Sequence, residues 1–157
     1  MPDHRQQSRQ GQRCGQSHHT QQQTEDNTVK ECKQKIEQFK STGLNNLSGD
    51  DLIDISSKMG RYLSRILKTT QIRRFLDGIR KLDSHFDRGN NFNKDLVILM
   101  KPKLAYAVGR NQDIKPLMEV LEPAITAGAK TYNDFKKLVA LIEGIVAYHR
   151  YHGGRDS

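Results

Sequence analysis

The sequence predicts an all-α fold, a compact bundle of five or six helices with a polar N-terminal tail. Apolar residues recur at three- and four-residue steps through most of the chain after residue 25, and this spacing lines one side of a helix. No segment alternates apolar and polar residues for long enough to predict a strand. The chain has 157 residues, which is enough for one domain with a buried core. We therefore expect a single helical-bundle domain over residues 25–157.

The first 24 residues are expected to form a disordered polar tail, because they are nearly free of large apolar side chains and cannot offset the entropy lost on ordering. Cys14 and Cys32 are the only cysteines and could pair, but little else suggests a secreted disulfide scaffold. Together with His18 and His19 they fit no zinc spacing, so we expect no metal. No signal peptide or membrane span is indicated, and the expected compartment is the cytoplasm.

Two helices are expected in the first part of the domain. The first covers residues 25–39 and is short and weakly apolar, so it should dock loosely. A linker follows at 41–50. Ser48 or Asp50 is expected to cap the second helix, residues 51–68.

The third helix begins at Thr69 or Thr70, either of which is a suitable N-cap, and ends before a loop at 88–93. The next run, 95–100, is apolar nearly all round and is therefore expected to be central to the core. Pro102 then marks either a kink or the first turn of a new helix.

Prolines and glycines mark the limits of the last two helices. Pro116 lies in the first turn of one, Pro123 should kink or interrupt it, and Gly128 ends it. Thr131 caps the last helix, residues 132–151. Its apolar stripe holds for five turns, so we expect this helix to be the pillar of the core.

The charge of the chain favours an anionic partner. Its formal net charge is +8 and its pI about 9.6, which indicates nucleic acid first and an anionic membrane second. Trp is absent and aromatics are few, so a base-stacking surface is not expected. Two consecutive helices carry a basic stripe opposite the apolar one, which favours an extended phosphate-binding surface. These stripes are Lys58, Arg61, Arg65 and Lys68 in one helix, and Arg73, Arg74, Arg80 and Lys81 in the next.

Two details of this surface stay open at the level of the sequence. Arg73 or Arg74 can pair with Asp77 instead of binding an anion. Tyr106 lies between two cations, where it either contacts a ribose or phosphate or packs at the rim of the core with its hydroxyl outside.

No motif for catalysis is present. The chain lacks a Gly-rich phosphate loop, a zinc-protease motif and a nucleophile elbow. His85 lies near Asp83 and Asp87 in the sequence, but no nucleophile or metal cage accompanies them. We expect neither enzymatic activity nor a cofactor.

Three blocks of the sequence together resemble a known family. They are TTQIRRF at 69–75, LMKPKLAYAVGR at 99–110 and EGIVAYHRYHGG at 143–154. In this order and at these separations they resemble the small subunit of type III-A CRISPR–Cas (Csm) effector complexes, over about residues 52–154. The polar extension before Val29 is longer than is usual in that family, and the first block has Thr where the family more often has Ser.

The resemblance implies a non-catalytic helical bundle, several copies of which stack head to tail in an antiviral ribonucleoprotein. There it would contact target RNA, or its duplex with CRISPR RNA, beside the backbone and large subunits that perform the chemistry. The alternatives are a small subunit of a type III-B (Cmr) complex and a basic helical protein–protein adaptor. The candidate RNA-binding residues are those that adjoin or lie in the first two blocks, with two added from periodicity. Lys68 adjoins the first block, Arg73 and Arg74 lie in it, Lys101, Lys103 and Arg110 lie in the second, and Arg61 and Arg65 come from periodicity.

Overall fold

The structure, a computed structural model, describes residues 16–154 of the chain, except for the side chains of residues 16–22 and 26. Its described part contains six α-helices of eleven or more residues, a five-residue helix and no strand, which confirms the predicted all-α bundle. None of these helices is both long enough and apolar enough to cross a membrane. The helices are α1 (Gln16–Glu37), α2 (Gly49–Leu63), α3 (Thr69–His85), α4 (Lys94–Ile98), α5 (Met100–Arg110), α6 (Lys115–Gly128) and α7 (Tyr132–Tyr151).

The last helix, α7, is the pillar of the core, as the length of its apolar stripe predicted. It packs against α2, α3 and α6, whereas α1 lies across α2 and α6. Helix α5 packs on α6 and on the short α4. The side chains of Phe135, Leu138, Leu141 and Ile145 on α7 are almost fully buried, so this helix organises its neighbours by burying apolar surface from three directions.

Both ends of α7 are fixed by specific contacts. Thr131 Oγ1 accepts from the backbone N–H of Asp134 at 3.2 Å, and Asp134 Oδ2 accepts from the N–H of Thr131 at 3.1 Å, which is a reciprocal capping box. At the other end Gly153 has a φ of +84°, a conformation that suits glycine after a helix. Buried His149 has its Nε2 2.8 Å from the carbonyl oxygen of Leu67, which ties α7 to the turn between α2 and α3.

The first helix differs from the expectation in start and in packing. It begins at Gln16, within the stretch predicted as a tail. Its residues Val29, Cys32 and Ile36 are buried, so the predicted loose docking is wrong: its narrow apolar stripe is enclosed between α2 and α6. Residues 1–15, which include Cys14, lie outside the described residues, and the disorder expected there stays a prediction.

The first residues of α2 and α3 confirm one predicted cap and correct another. Ser48 Oγ accepts from the N–H of Asp51 at 3.1 Å, as an N-cap of α2. Helix α2 is shorter than expected, and the N-cap of α3 is Lys68, whose N–H donates to Gln71 Oε1 at 3.0 Å. The predicted threonine cap is wrong, because Thr69 is already the first helical residue and its side chain is buried.

The apolar run 95–100 was expected to be central to the core, and the structure shows that this prediction is wrong. Val97 is fully buried, but Ile98 and Leu99 are 36% and 53% exposed. The helix there is only five residues long, so less than two turns are available and one face alone can be covered. The rest of this apolar surface borders the groove described below.

Prolines act as helix starters in this fold more than as breakers. Pro102 lies in the first turn of α5 and Pro116 in the first turn of α6, where a missing N–H has no cost. Pro123 lies inside α6, yet the helix continues to Gly128 without interruption. Gly128 ends α6 as predicted.

Candidate nucleic-acid interface

The first group of candidate cations lies where α2 ends and α3 begins. Arg61 occupies the last turn of α2, Lys68 the N-cap of α3, and Arg73 the exposed face of α3. All three side chains are exposed, and none forms an ion pair with another side chain that the structure describes. We call Arg61, Lys68 and Arg73 the α2–α3 ridge. Exposed cations without an internal counterion are available to phosphate oxygens, which form strong charge-assisted hydrogen bonds with them.

The other two cations of the basic stripe predicted for α2 form ion pairs with carboxylates of α1 and of α2 itself. Arg65 Nη1 is 2.9 Å from Glu25 Oε1. Lys58 Nζ is 3.2 Å from a carboxylate oxygen of Asp54 and 3.7 Å from one of Glu31. The basic stripe read from α2 is therefore not continuous, because every second cation has a partner on the protein.

The contact between α1 and α2 extends this ion-pair network. Lys35 Nζ is 2.7 Å from Asp54 Oδ2. This hydrogen bond raises the pKa of Lys35 and lowers the pKa of Asp54, so both groups stay charged around neutral pH. Both side chains are more than one third exposed, so solvent screens the pair and limits it to about 1 kcal/mol or less. This side of the bundle is a network of internal pairs and offers little free positive charge.

The remaining α3 candidates are not tied to Asp77. Arg73 and Arg74 are both exposed, and within residues 16–154 no ion pair joins either of them to Asp77. The alternative in which one arginine is neutralised by that carboxylate is therefore not adopted.

The candidates on α5 face two directions. Lys101 Nζ donates to Thr126 Oγ1 at 2.6 Å, so Lys101 bridges to α6 and is separated from the other cations. Arg110 lies with its guanidinium carbon 6.0 Å from the centroid of the Tyr106 ring. Tyr106 is 69% exposed, so its packing at the rim of the core, one of the two interpretations of the sequence, is wrong.

Three candidates meet around a groove of about 570 Å³ between α3 and α5. Arg74 comes from α3, and Lys103 and Arg110 come from α5. Tyr106 also lines it, and no acidic residue does within the described part of the chain. We call this the α3–α5 groove. Its lining is otherwise mainly apolar and includes Phe75, Leu82, Leu96, Leu99, Met100 and Ile114.

The groove follows from how the helices diverge. Helix α3 packs on α7, and α5 packs on α6, so the sides of α3 and α5 that face each other stay uncovered. Sequence reasoning found the cations but missed the groove, because it assigned the apolar residues 95–100 to the core. One signal was present: Lys103, Tyr106 and Arg110 share one side of a short helix that follows this run.

The carboxylate of Asp83, which lies near His85 in the sequence, forms two hydrogen bonds between helices. Asp83 Oδ1 accepts from the Tyr132 hydroxyl at 2.9 Å, and Asp83 Oδ2 accepts from Lys136 Nζ at 2.9 Å. Burial and the hydrogen bond to Asp83 raise the pKa of the Tyr132 hydroxyl. The hydrogen bond from Lys136 to Asp83 raises the pKa of the Lys136 ammonium group. Asp83 therefore joins α3 to α7.

Comparison with known proteins shows a family that this chain resembles. The family model described as Csm2 Type III-A matches residues 46–155. No curated protein matches the chain, and no solved structure does. The matched segment contains α2 to α7, and with them the α2–α3 ridge and the α3–α5 groove.

Proposed function

The chain belongs to the Csm2 type III-A family, and on that premise we propose that it is a non-catalytic small subunit that binds RNA through its phosphates. In this proposal several copies stack within a type III-A ribonucleoprotein that acts in antiviral defence in the cytoplasm. Each copy lies beside the backbone and large subunits and contacts target RNA or its duplex with CRISPR RNA.

The observation that carries the proposal is the α2–α3 ridge. Arg61, Lys68 and Arg73 are exposed and have no ion-pair partner in the described part of the chain, whereas neighbouring Arg65 is paired with Glu25. A subunit that must accept any target sequence should contact the backbone, since phosphate contacts position a protein without reading bases. Free cations without an aromatic platform suit this role.

The proposal is tested by removing two free cations and two engaged cations in separate variants. Arg61→Gln with Arg73→Gln changes the ridge, and Arg65→Gln with Lys101→Gln changes cations that contact Glu25 and Thr126. Each pair removes two positive charges from the chain. Fluorescence anisotropy with several unrelated RNAs, over a range of salt concentrations, measures affinity and its salt dependence.

The affinity of the ridge variant should be roughly tenfold lower for every RNA sequence. Two exposed contacts of about 0.7 kcal/mol each together contribute about 1.4 kcal/mol, which corresponds to a factor of about ten in affinity. Its salt slope should be shallower by about one to two. The control variant should change affinity much less. Equal losses in the two variants would show a general charge effect without a defined ridge, and no loss in the ridge variant would remove the ridge from the site.

A protein–protein adaptor is the alternative function, and the apolar α3–α5 groove is the observation that favours it. An adaptor predicts RNA binding that does not grow with RNA length. A binding series with RNAs of increasing length at two salt concentrations separates the two functions, because phosphate tracking by stacked copies gains affinity as more copies are accommodated.

A further inference from the structure

Phosphate binding does not account for the α3–α5 groove. Phosphates are strongly hydrated, whereas most of this groove is apolar, and Leu99 is 53% exposed there. A contiguous exposed apolar surface rimmed by polar groups in a soluble protein indicates a protein contact. The groove therefore calls for an occupant with an apolar side chain.

Gly78 indicates that the occupant approaches α3 closely. It lies in the middle of α3 and lines the groove. A Cβ built at this position meets no atom within 4 Å, so the packing of the described residues does not require glycine. Glycine within a helix costs about 1 kcal/mol relative to alanine. The open space over the helix backbone is therefore unused by the chain itself and available to another molecule.

The rim of the groove defines the charge of the occupant. Arg74, Lys103 and Arg110 surround the apolar surface, and no carboxylate lines it within residues 16–154. Oppositely charged groups across an interface fix orientation and exclude wrong partners. The occupant should therefore combine an apolar side chain with carboxylates.

The chain itself carries such a segment. Among the side chains that the structure describes, the other exposed large apolar ones away from α4 and the groove are Ile53 and Tyr151, 50% and 79% exposed. Tyr151 lies between Arg150 and His152 in the sequence, where the charge has the wrong sign. Ile53 lies near the start of α2, whose first turn contains Asp50 and Asp51.

The acidic first turn of α2 contains a carboxylate that is not neutralised within the described part of the chain. Asp50 is exposed and has no ion pair within the described residues. Asp51 Oδ1 is 3.9 Å from Lys35 Nζ, which lies much closer to Asp54, at 2.7 Å. Asp51 is therefore already paired within the chain, and Asp50 is the carboxylate of this turn that is available to cations of another molecule.

We propose that the α3–α5 groove of one copy receives the first turn of α2 from a second copy. Ile53 then covers apolar residues of the groove, and Asp50, which lies three residues before Ile53 and therefore on the same side of α2, faces Arg74 and the two α5 cations. This contact rests on the proposed function, in which copies stack, and it names the surfaces that meet. Because the groove and the turn are different surfaces of one chain, the contact is heterologous and extends as an open stack. The α2–α3 ridge takes no part in it and stays free for phosphates.

Concentration-dependent sedimentation velocity of the full chain tests the contact. Ile53→Ser removes the apolar side chain, and Gly78→Leu fills the groove with a good helix former. Each variant should weaken self-association at least about tenfold, which corresponds to roughly 1.4 kcal/mol. Circular dichroism and urea unfolding establish that each variant is folded, and Tyr151→Ser is the matched control at the other exposed apolar side chain.

A charge exchange separates direct contact from a general loss of structure. Asp50→Arg alone and Arg74→Asp alone should each weaken association, whereas the double variant should regain it to within about threefold, because the two charges then attract again in exchanged positions. A double variant as weak as the singles would overturn the proposal. Unchanged association in the Ile53 and Gly78 variants would do so as well, as would loss of association only in the Tyr151 variant.

Two further results would also reject the contact. One is a wild-type chain that stays monomeric at every concentration. The other is a groove variant that self-associates normally but no longer holds an acidic partner protein of the complex, since the occupant is then that protein. The proposed function is tested separately by the affinity for a short RNA that can contact one copy only. This affinity depends on the α2–α3 ridge and does not require stacking.

Discussion

Glycines in two regions of this protein, the α2–α7 contact and the α3–α5 groove, have opposite surroundings. Between α2 and α7, a Cβ at Gly60 would lie 2.6 Å from Tyr148 Cβ, and one at Gly144 would collide with Ser56 Oγ. Beside the α3–α5 groove, a Cβ at Gly78 would meet nothing. The first contact needs glycine because two helix backbones are pressed together, whereas the second position leaves room that the described residues do not use. The α2–α7 contact thus determines the fold, and the α3–α5 side presents a surface to other molecules.

The largest expected difference between the two regions is the reactivity of cysteine. Burial raises the pKa of the Cys32 thiol on the packed side from 9.0 to about 11. Two pKa units lower the thiolate fraction near neutral pH about 100-fold, and only the thiolate is the nucleophile. In a Cys14→Ser background, alkylation of Cys32 should be at least that much slower than alkylation of a cysteine introduced as Gly78→Cys with Cys32→Ser. Comparable rates for the two folded proteins would contradict the contrast between a closed and an open side.

The next effect is a loss of stability at the closed side. Gly60→Ala should lower the free energy of unfolding by about 2 kcal/mol, because the added methyl group meets the backbone of His149 and overpacked contacts of this kind cost about 1–3 kcal/mol. Urea unfolding followed by circular dichroism measures it. A variant as stable as the wild type would show that α2 and α7 separate easily and that their contact does not determine the fold.

The smallest effect has the opposite sign and belongs to the open side. Gly78→Ala should raise the free energy of unfolding by about 1 kcal/mol or less, since alanine favours the helix and nothing within the described chain opposes its methyl group. Thermal unfolding of the two alanine variants in parallel measures the contrast. Destabilisation by Gly78→Ala would mean that α3 and α5 close on each other and that the groove is not open in solution.

Helices and their ends were largely predictable from the sequence, since the signals are local. The stripe of α7 and its Thr131 cap were predicted from residues a few positions apart, and both are present. The cap of α3 was not, because Thr69 is buried in the bundle and Lys68 takes the N-cap position. Burial by a neighbouring helix is a property that the spacing of residues along one helix does not contain.

The candidate site divides in the same way. The sequence by itself determined that the chain is a basic helical bundle and which of its side chains are cationic, because charge and helical periodicity are properties of consecutive residues. Only the tertiary structure decided that Arg65 is paired with Glu25, forty residues away, that Lys101 contacts α6, and that Arg74 lies at the same groove as Lys103. It also decided that part of the apolar run 95–100 borders this groove. The physical reason is that ion pairing and burial depend on which helices become neighbours and how far apart they lie, and packing around α7 sets those distances.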